Sequence, residues 1–167
     1  TPPPAIAPGL SVLDASGSEV ALESLRGDVT VLAFWASYCQ PCAAELPLVA
    51  DLAEAYDGES DVSVIAISTD GKSEHERARA VLAERAPTLE SYFVGRERDV
   101  YPLMPRRPEG IAVVSLPMTL VIDRSGTRHY VFGGTLDEES FVSGHRELVD
   151  AARAGSLSEA IEPPPKT

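Results

Sequence analysis

The segment Phe34-Trp35-Ala36-Ser37-Tyr38-Cys39-Gln40-Pro41-Cys42 constrains this chain more than any other. Residues 30–35 form a continuous apolar run rich in strand formers, the pattern of a central strand buried on both faces. The run leads into two cysteines spaced C-x-x-C, and a helical pattern follows at once. Leu46, Val49, Leu52, Ala53 and Tyr56 recur at helical spacing over residues 40–56, and Gly58 ends the run. A strand that delivers a cysteine pair to the first turn of a helix has a chemical consequence. The helix N-terminus offers unpaired N–H groups and the positive end of the macrodipole. A thiolate at Cys39 is stabilised there; cysteines so placed ionise with pKa values of roughly 3.5–7.5, against about 8.5 for a free thiol. Cys39 is therefore the expected nucleophile. Cys42, one turn deeper, is expected to be shielded and to resolve a mixed disulfide by attacking Cys39. Pro41 falls in the first turn, where its missing N–H costs little.

The chain has two cysteines in 167 residues. A bridge between them closes a loop too small to hold a fold together, so the pair's value lies in chemistry. A zinc site wants four ligands; one C-x-x-C supplies two, and His75, His129 and His145 have no spacing that completes the set. No metal site is expected. The balance of 26 acidic to 14 basic residues, a net charge of −12, excludes a surface built for nucleic acid or anionic membranes. No apolar run approaches the roughly 18 residues a membrane span requires.

Along the chain, a Pro-rich lead over residues 1–9 reads as a linker. Residues 10–13 and 19–22 flank a turn-forming cluster at 14–18 and form a hairpin, followed by a helical turn at 22–25. After the cysteine helix come a buried strand at 62–68, a polar helix at 73–85 and a short strand at 91–94. Residues 95–112 form an irregular connector with Arg96, Arg98, Arg106 and Arg107. Strands at 118–123 and 129–132 make a second hairpin. Asp137 caps a last helix over residues 138–154, and Gly155 ends it. One domain spans 10–155, and 156–167 reads as a disordered tail. The alternation predicts an α/β fold, a central mixed sheet with helices on both faces.

The active-site segment resembles that of the thioredoxin superfamily. The longer stretch from Cys39 to Pro47 is similar to the TlpA/ResA branch of extracytoplasmic thiol–disulfide oxidoreductases, whose C-x-P-C is followed by two residues, Glu, an apolar residue and Pro. Here Tyr38 stands where that branch has Trp, and Pro47 stands at the helix-interior position of the superfamily's kink-forming proline. Ser115-Leu116-Pro117-Met118-Thr119 matches the superfamily's cis-proline segment. The resemblance covers roughly residues 8–153. It implies a thioredoxin-like three-layer fold, a central mixed β-sheet flanked by helices, with an N-terminal β-hairpin extension. It also implies a cis bond before Pro117, whose backbone would pair with an extended substrate strand.

In thioredoxins a buried Asp six residues before the first cysteine accepts the second thiol's proton; that position is Ala33 here. The TlpA/ResA resemblance gives this task to Glu45, whose partly buried carboxyl can exchange a proton with a nearby thiol. Trp35, Tyr38, Leu116 and Met118 are expected to form an apolar apron that holds substrate beside Cys39. The implied activity is disulfide exchange with protein thiols, with no cofactor beyond the redox-active Cys39/Cys42 pair. The implied setting is periplasmic or extracytoplasmic, with a membrane or soluble electron donor, a possible upstream membrane tether and a monomeric chain. A peroxiredoxin shares this fold but needs a PxxxTxxC loop, which the sequence lacks. A copper-binding thioredoxin-like module would use the two thiolates for Cu(I), with no further His or Met close by in sequence.

Overall fold

A computed structural model describes residues 4–161. Eight strands form one sheet in the order β2-β1-β5-β4-β3-β6-β7-β8. They are β1 (Ser11–Leu13), β2 (Glu19–Ala21), β3 (Val29–Trp35), β4 (Val62–Ser68), β5 (Ser91–Phe93), β6 (Met118–Ile122), β7 (Arg128–Phe132) and β8 (Ala160–Ile161). The helices are α1 (Gln40–Ala55), α2 (His75–Arg85) and α3 (Phe141–Arg153). The central strand β3 pairs in parallel with β4 and antiparallel with β6, and β4 pairs in parallel with β5. The sheet is therefore mixed, and the N-terminal hairpin extends it through β1 beside β5.

Strict alternation along the buried strands builds two cores. Val29, Val31, Ala33 and Trp35 of β3 join Val62, Val64 and Ala66 of β4 on one face, where α1, α2 and α3 all pack. Leu32, Phe34, Ile65, Ile67, Met118, Leu120 and Ile122 face the other way. The chain passes from β3 through α1 to β4 and through α2 to β5, always stepping in the same direction. Right-handed crossovers then place both helices on one face. The three layers expected are present, with α-helices on the first face and 3-10 helices on the second. The second face is covered by two 3-10 segments, Leu22–Ser24 and Glu97–Leu103, through Leu22, Val100 and Leu103, and by Met104 and coil. The connector at 95–112 is thus a structural layer.

Three boundaries also differ from the sequence reading. The lead at 1–9 is not a free linker over its described part: Ile6 and Ala7 are buried in the second core, and both backbone N–H groups donate to Glu23 Oε1 at 2.7 and 3.0 Å. The tail at 156–167 is ordered through residue 161. Leu157 is buried on the helix side, and Ala160–Ile161 runs parallel to β7. Residues 1–3 and 162–167 lie outside the described part. Finally, α3 begins at Phe141 rather than 138, because Asp137 caps the preceding turn, accepting from Ser140 N and Oγ at 2.9 and 2.6 Å.

Candidate active site

Cys39 is the N-cap of α1, with extended backbone (φ −95°, ψ 104°), and its Sγ accepts a hydrogen bond from Cys42 N at 3.2 Å. The cap position aims the sulfur at the helix's unpaired N–H groups, where negative charge is stabilised. Cys39 and Cys42 are joined in a disulfide with Cα atoms 5.2 Å apart. Cys39 is half-buried, while Cys42 is 1% exposed. The outer cysteine is partly exposed and the inner one shielded, the division of labour that nucleophile and resolving thiol require. Pro41 lies exposed in the first helical turn, and Pro47 lies inside α1.

The loop between β3 and α1 is held from below. Buried Asp70, just beyond β4, accepts from Ser37 N at 2.8 Å, from Ser37 Oγ at 2.6 Å and from Ser68 Oγ at 2.6 Å. Thr69 N donates to Trp35 O at 2.8 Å, closing the same junction. The sequence reading missed Asp70. The signal was a polar Ser-Thr-Asp run at the C-terminal end of a parallel strand, where α/β sheets place their working loops.

Pro117 immediately precedes β6, is buried, and follows a cis Leu116-Pro117 peptide. Gly133 N donates to Pro117 O at 2.7 Å, and a Cβ at Gly133 would press into the proline ring, 2.8 Å from its Cδ. Leu116 is partly buried against the same helix-side core as Cys39 and Cys42. Tyr38 is 61% exposed. The other two members of the expected apron are not on the surface. Trp35 and Met118 are each 1% exposed, on opposite faces of the sheet, because both faces of β3 and β6 are covered. The apolar surface beside Cys39 reduces to Tyr38 and Leu116.

Glu45 lies one turn beyond Cys42 on α1, half-buried, with no hydrogen bond among the described residues. Burial pushes its carboxyl up to about 7 from the usual 4.5. It lines a narrow cleft with Thr119 and Phe132 of the sheet and Phe141 and His145 of α3. His145 is fully buried, and the sequence reading had considered it only as a metal ligand. Its Nδ1 lies 2.7 Å from Phe141 O and its Nε2 2.6 Å from Thr119 Oγ1. Among the described residues no group of three or more His, Cys, Asp or Glu side chains could hold a metal ion, and no helix is long and apolar enough to cross a membrane.

A disulfide capping the helix that follows the central strand of a mixed sheet, with a cis-proline entering the neighbouring strand, defines a thiol–disulfide oxidoreductase of the thioredoxin superfamily. Comparison with known proteins agrees. Residues 4–131 match the model of the AhpC/TSA family, and the chain belongs to that family. It is 27% identical over 143 residues to the thiol-disulfide oxidoreductase ResA of Geobacillus kaustophilus, covering 86% of this chain and 75% of that one. It is 28% identical over 137 residues to the thioredoxin-like protein YneN of Bacillus subtilis, covering 80% and 72%. Among solved structures, a DsbE-type putative thiol:disulfide interchange protein from Chlorobium tepidum superposes with a TM-score of 0.65 at 23% identity, covering 87% of this chain and 94% of that one. A secreted Mycobacterium tuberculosis disulfide oxidoreductase homologous to E. coli DsbE superposes with a TM-score of 0.63 at 18% identity, covering 83% and 95%. These two share the fold.

Proposed function

We propose that this chain reduces disulfides of protein substrates outside the cytoplasm, with the Cys39/Cys42 dithiol as its sole redox group. The observation that carries the reading is the pairing of a partly exposed cysteine at the helix cap with a shielded one, a turn before a half-buried carboxyl that makes no hydrogen bond among the described residues. In the reduced protein the Cys39 thiolate attacks one sulfur of the substrate disulfide and releases the other as a thiolate. Cys42 then passes its proton to the Glu45 carboxylate and attacks Cys39 Sγ. That step forms the internal disulfide and releases the second substrate thiolate, so two electrons pass from the dithiol to the substrate. A membrane or soluble thiol donor returns them. A carboxyl that titrates near neutrality suits this exchange, since its proton affinity lies close to that of an activated thiol.

An oxidising dithiol is one whose thiolate is strongly stabilised. Burial of Cys42 in an apolar cluster opposes a thiolate at the inner sulfur and supports the reducing direction, against the stabilising helix terminus at Cys39. Tyr38, Leu116 and the backbone at Pro117 are the surfaces that would receive an extended substrate segment. The extracytoplasmic setting is supported by the ResA relative and by the secreted M. tuberculosis protein of the same fold. A peroxidase reading is not favoured, because Ser37 and Tyr38 precede Cys39 in place of the PxxxT element such enzymes use.

Equilibration of the couple with defined thiol buffers tests the direction. A potential near the roughly −270 mV of thioredoxin is expected, and one near the roughly −120 mV of DsbA would overturn it. Cys39→Ser should abolish insulin-disulfide reduction, while Cys42→Ser should accumulate a mixed disulfide visible by intact mass. Full activity in either variant would refute the assigned roles.

A further inference from the structure

Asp70 is a buried acid, 2% exposed, that no step of the exchange uses. It stands just past the C-terminal end of β4, behind the loop that delivers Cys39. Its Oδ2 accepts from Ser37 N at 2.8 Å and from Ser68 Oγ at 2.6 Å, and its Oδ1 accepts from Ser37 Oγ at 2.6 Å. The backbone is fixed as well. Asp70 N donates to Ser68 Oγ at 3.1 Å, and the buried His75 ring sets Nε2 3.2 Å from Asp70 O and 2.7 Å from Val94 O. Among the described residues no cation forms an ion pair with Asp70. Lys72, two residues on, is exposed.

These bonds do not require a charge. Ser68 Oγ accepts from Asp70 N, so its own hydrogen goes to Oδ2, and Ser37 N can only donate. An asparagine carbonyl at the Oδ2 position would accept both. Its amide at the Oδ1 position would donate to Ser37 Oγ, which needs only to turn its hydroxyl. The neutral residue closes the same three contacts, whereas a buried carboxylate costs desolvation with no partner charge to offset it. What the acid adds is its charge, and the loop brings that charge to the nucleophile. Ser37 and Cys39 lie in one turn, closed by Cys39 N on Ala36 O at 3.1 Å. Chain geometry therefore puts the carboxylate within about 10 Å of Cys39. Tyr38, the residue between, registers it: its phenol is pushed up by lost hydration first, then by the charges of Glu97 and Asp70.

We propose that Asp70 is a positioning residue whose fixed negative charge opposes the Cys39 thiolate, offsetting the stabilising terminus of α1 and keeping the couple reducing. The inference rests on the reading of Cys39 as the nucleophile of a reducing dithiol, and it names a cause for that direction. At an effective dielectric of about 20, a unit charge about 10 Å away changes an ionisation constant about tenfold.

The test replaces Asp70 by asparagine in the full chain and follows two readouts. The first is the pH dependence of Cys39 alkylation in the reduced protein. The second is the equilibrium of the disulfide with glutathione. In Asp70→Asn the Cys39 midpoint should fall by about one pH unit. The equilibrium should move by up to about tenfold towards the reduced protein, which is about 30 mV in the oxidising direction. Ser37→Ala removes one hydrogen bond from the same carboxylate but keeps its charge, and should leave the Cys39 midpoint in place. An unmoved midpoint in Asp70→Asn, or an equal drop in Ser37→Ala, would overturn the proposal. Failure of Asp70→Asn to fold would overturn it too, since stability alone would then account for the acid. Both readouts compare a variant with the unaltered protein. An oxidising absolute potential would therefore sink the reductase reading and leave the Asp70 shift readable.

Discussion

Replacing Glu45 by glutamine should make the oxidised protein more stable at alkaline pH and leave it nearly unchanged in acid. In the unfolded chain the carboxyl releases its proton near 4.5, whereas in the folded protein burial holds it to about 7. Between these values the folded state binds more protons, so stability falls as the pH rises through the window and levels off above it. At about 1.4 kcal/mol per pH unit the full displacement is worth about 3.4 kcal/mol. Glu45 retains contact with solvent, and a discount for that leaves about 2 kcal/mol. Glutamine is nearly isosteric and never ionises, so it removes this term and little else. Urea unfolding of both oxidised proteins at pH 5 and pH 8.5 is the assay. The two midpoints should nearly coincide at pH 5, with the variant ahead by about 1 M at pH 8.5, given an m-value of about 2 kcal/mol/M. Every other titrating group is common to both proteins and cancels. Midpoints that stay parallel across the range would refute the claim that this carboxyl is held neutral by the fold.

Other perturbations address the scaffold around the disulfide. Asp70→Ala removes the acceptor of three hydrogen bonds and strands Ser37 N and Ser68 Oγ; a loss of about 2–4 kcal/mol is expected in thermal unfolding, with slower disulfide exchange as the loop before Cys39 loosens. Gly133→Ala would drive a methyl into the Pro117 ring. Overpacking of that kind costs about 1–3 kcal/mol, and the rate of insulin reduction should fall with it. Ile6→Ala should cost about 2 kcal/mol in urea unfolding, since Ile6 belongs to the second core; no change would restore the view of this segment as a linker.

What could be read without the structure was what lies close together along the chain. The end of the strand, the cysteine pair and the helix start fall within ten residues, and the continuous apolar runs of β3 and β4 marked both as strands buried on two faces. Ile6 and Ala7 escaped notice because prolines surround them and their N–H groups are captured by Glu23, a partner sixteen or more residues away. Leu157 was hidden in the same way by a polar tail. Trp35 and Met118 lie buried for a related reason: whether a strand face is open depends on what packs over it, the α-helices over Trp35 and the connector at 95–112 over Met118. The surroundings of Glu45 show the limit most clearly. His145 sits four residues after Phe141 and four before Val149, on the buried stripe of α3, where a lone histidine in sequence is indistinguishable from packing. Its significance arises only when α3, β6 and α1 meet, bringing together positions 45, 119 and 145. Redox chemistry here is written in four consecutive residues, because a disulfide and a helix cap are local objects. The burial of Glu45 is written across a hundred, because the walls of its cleft come from β6, β7 and α3.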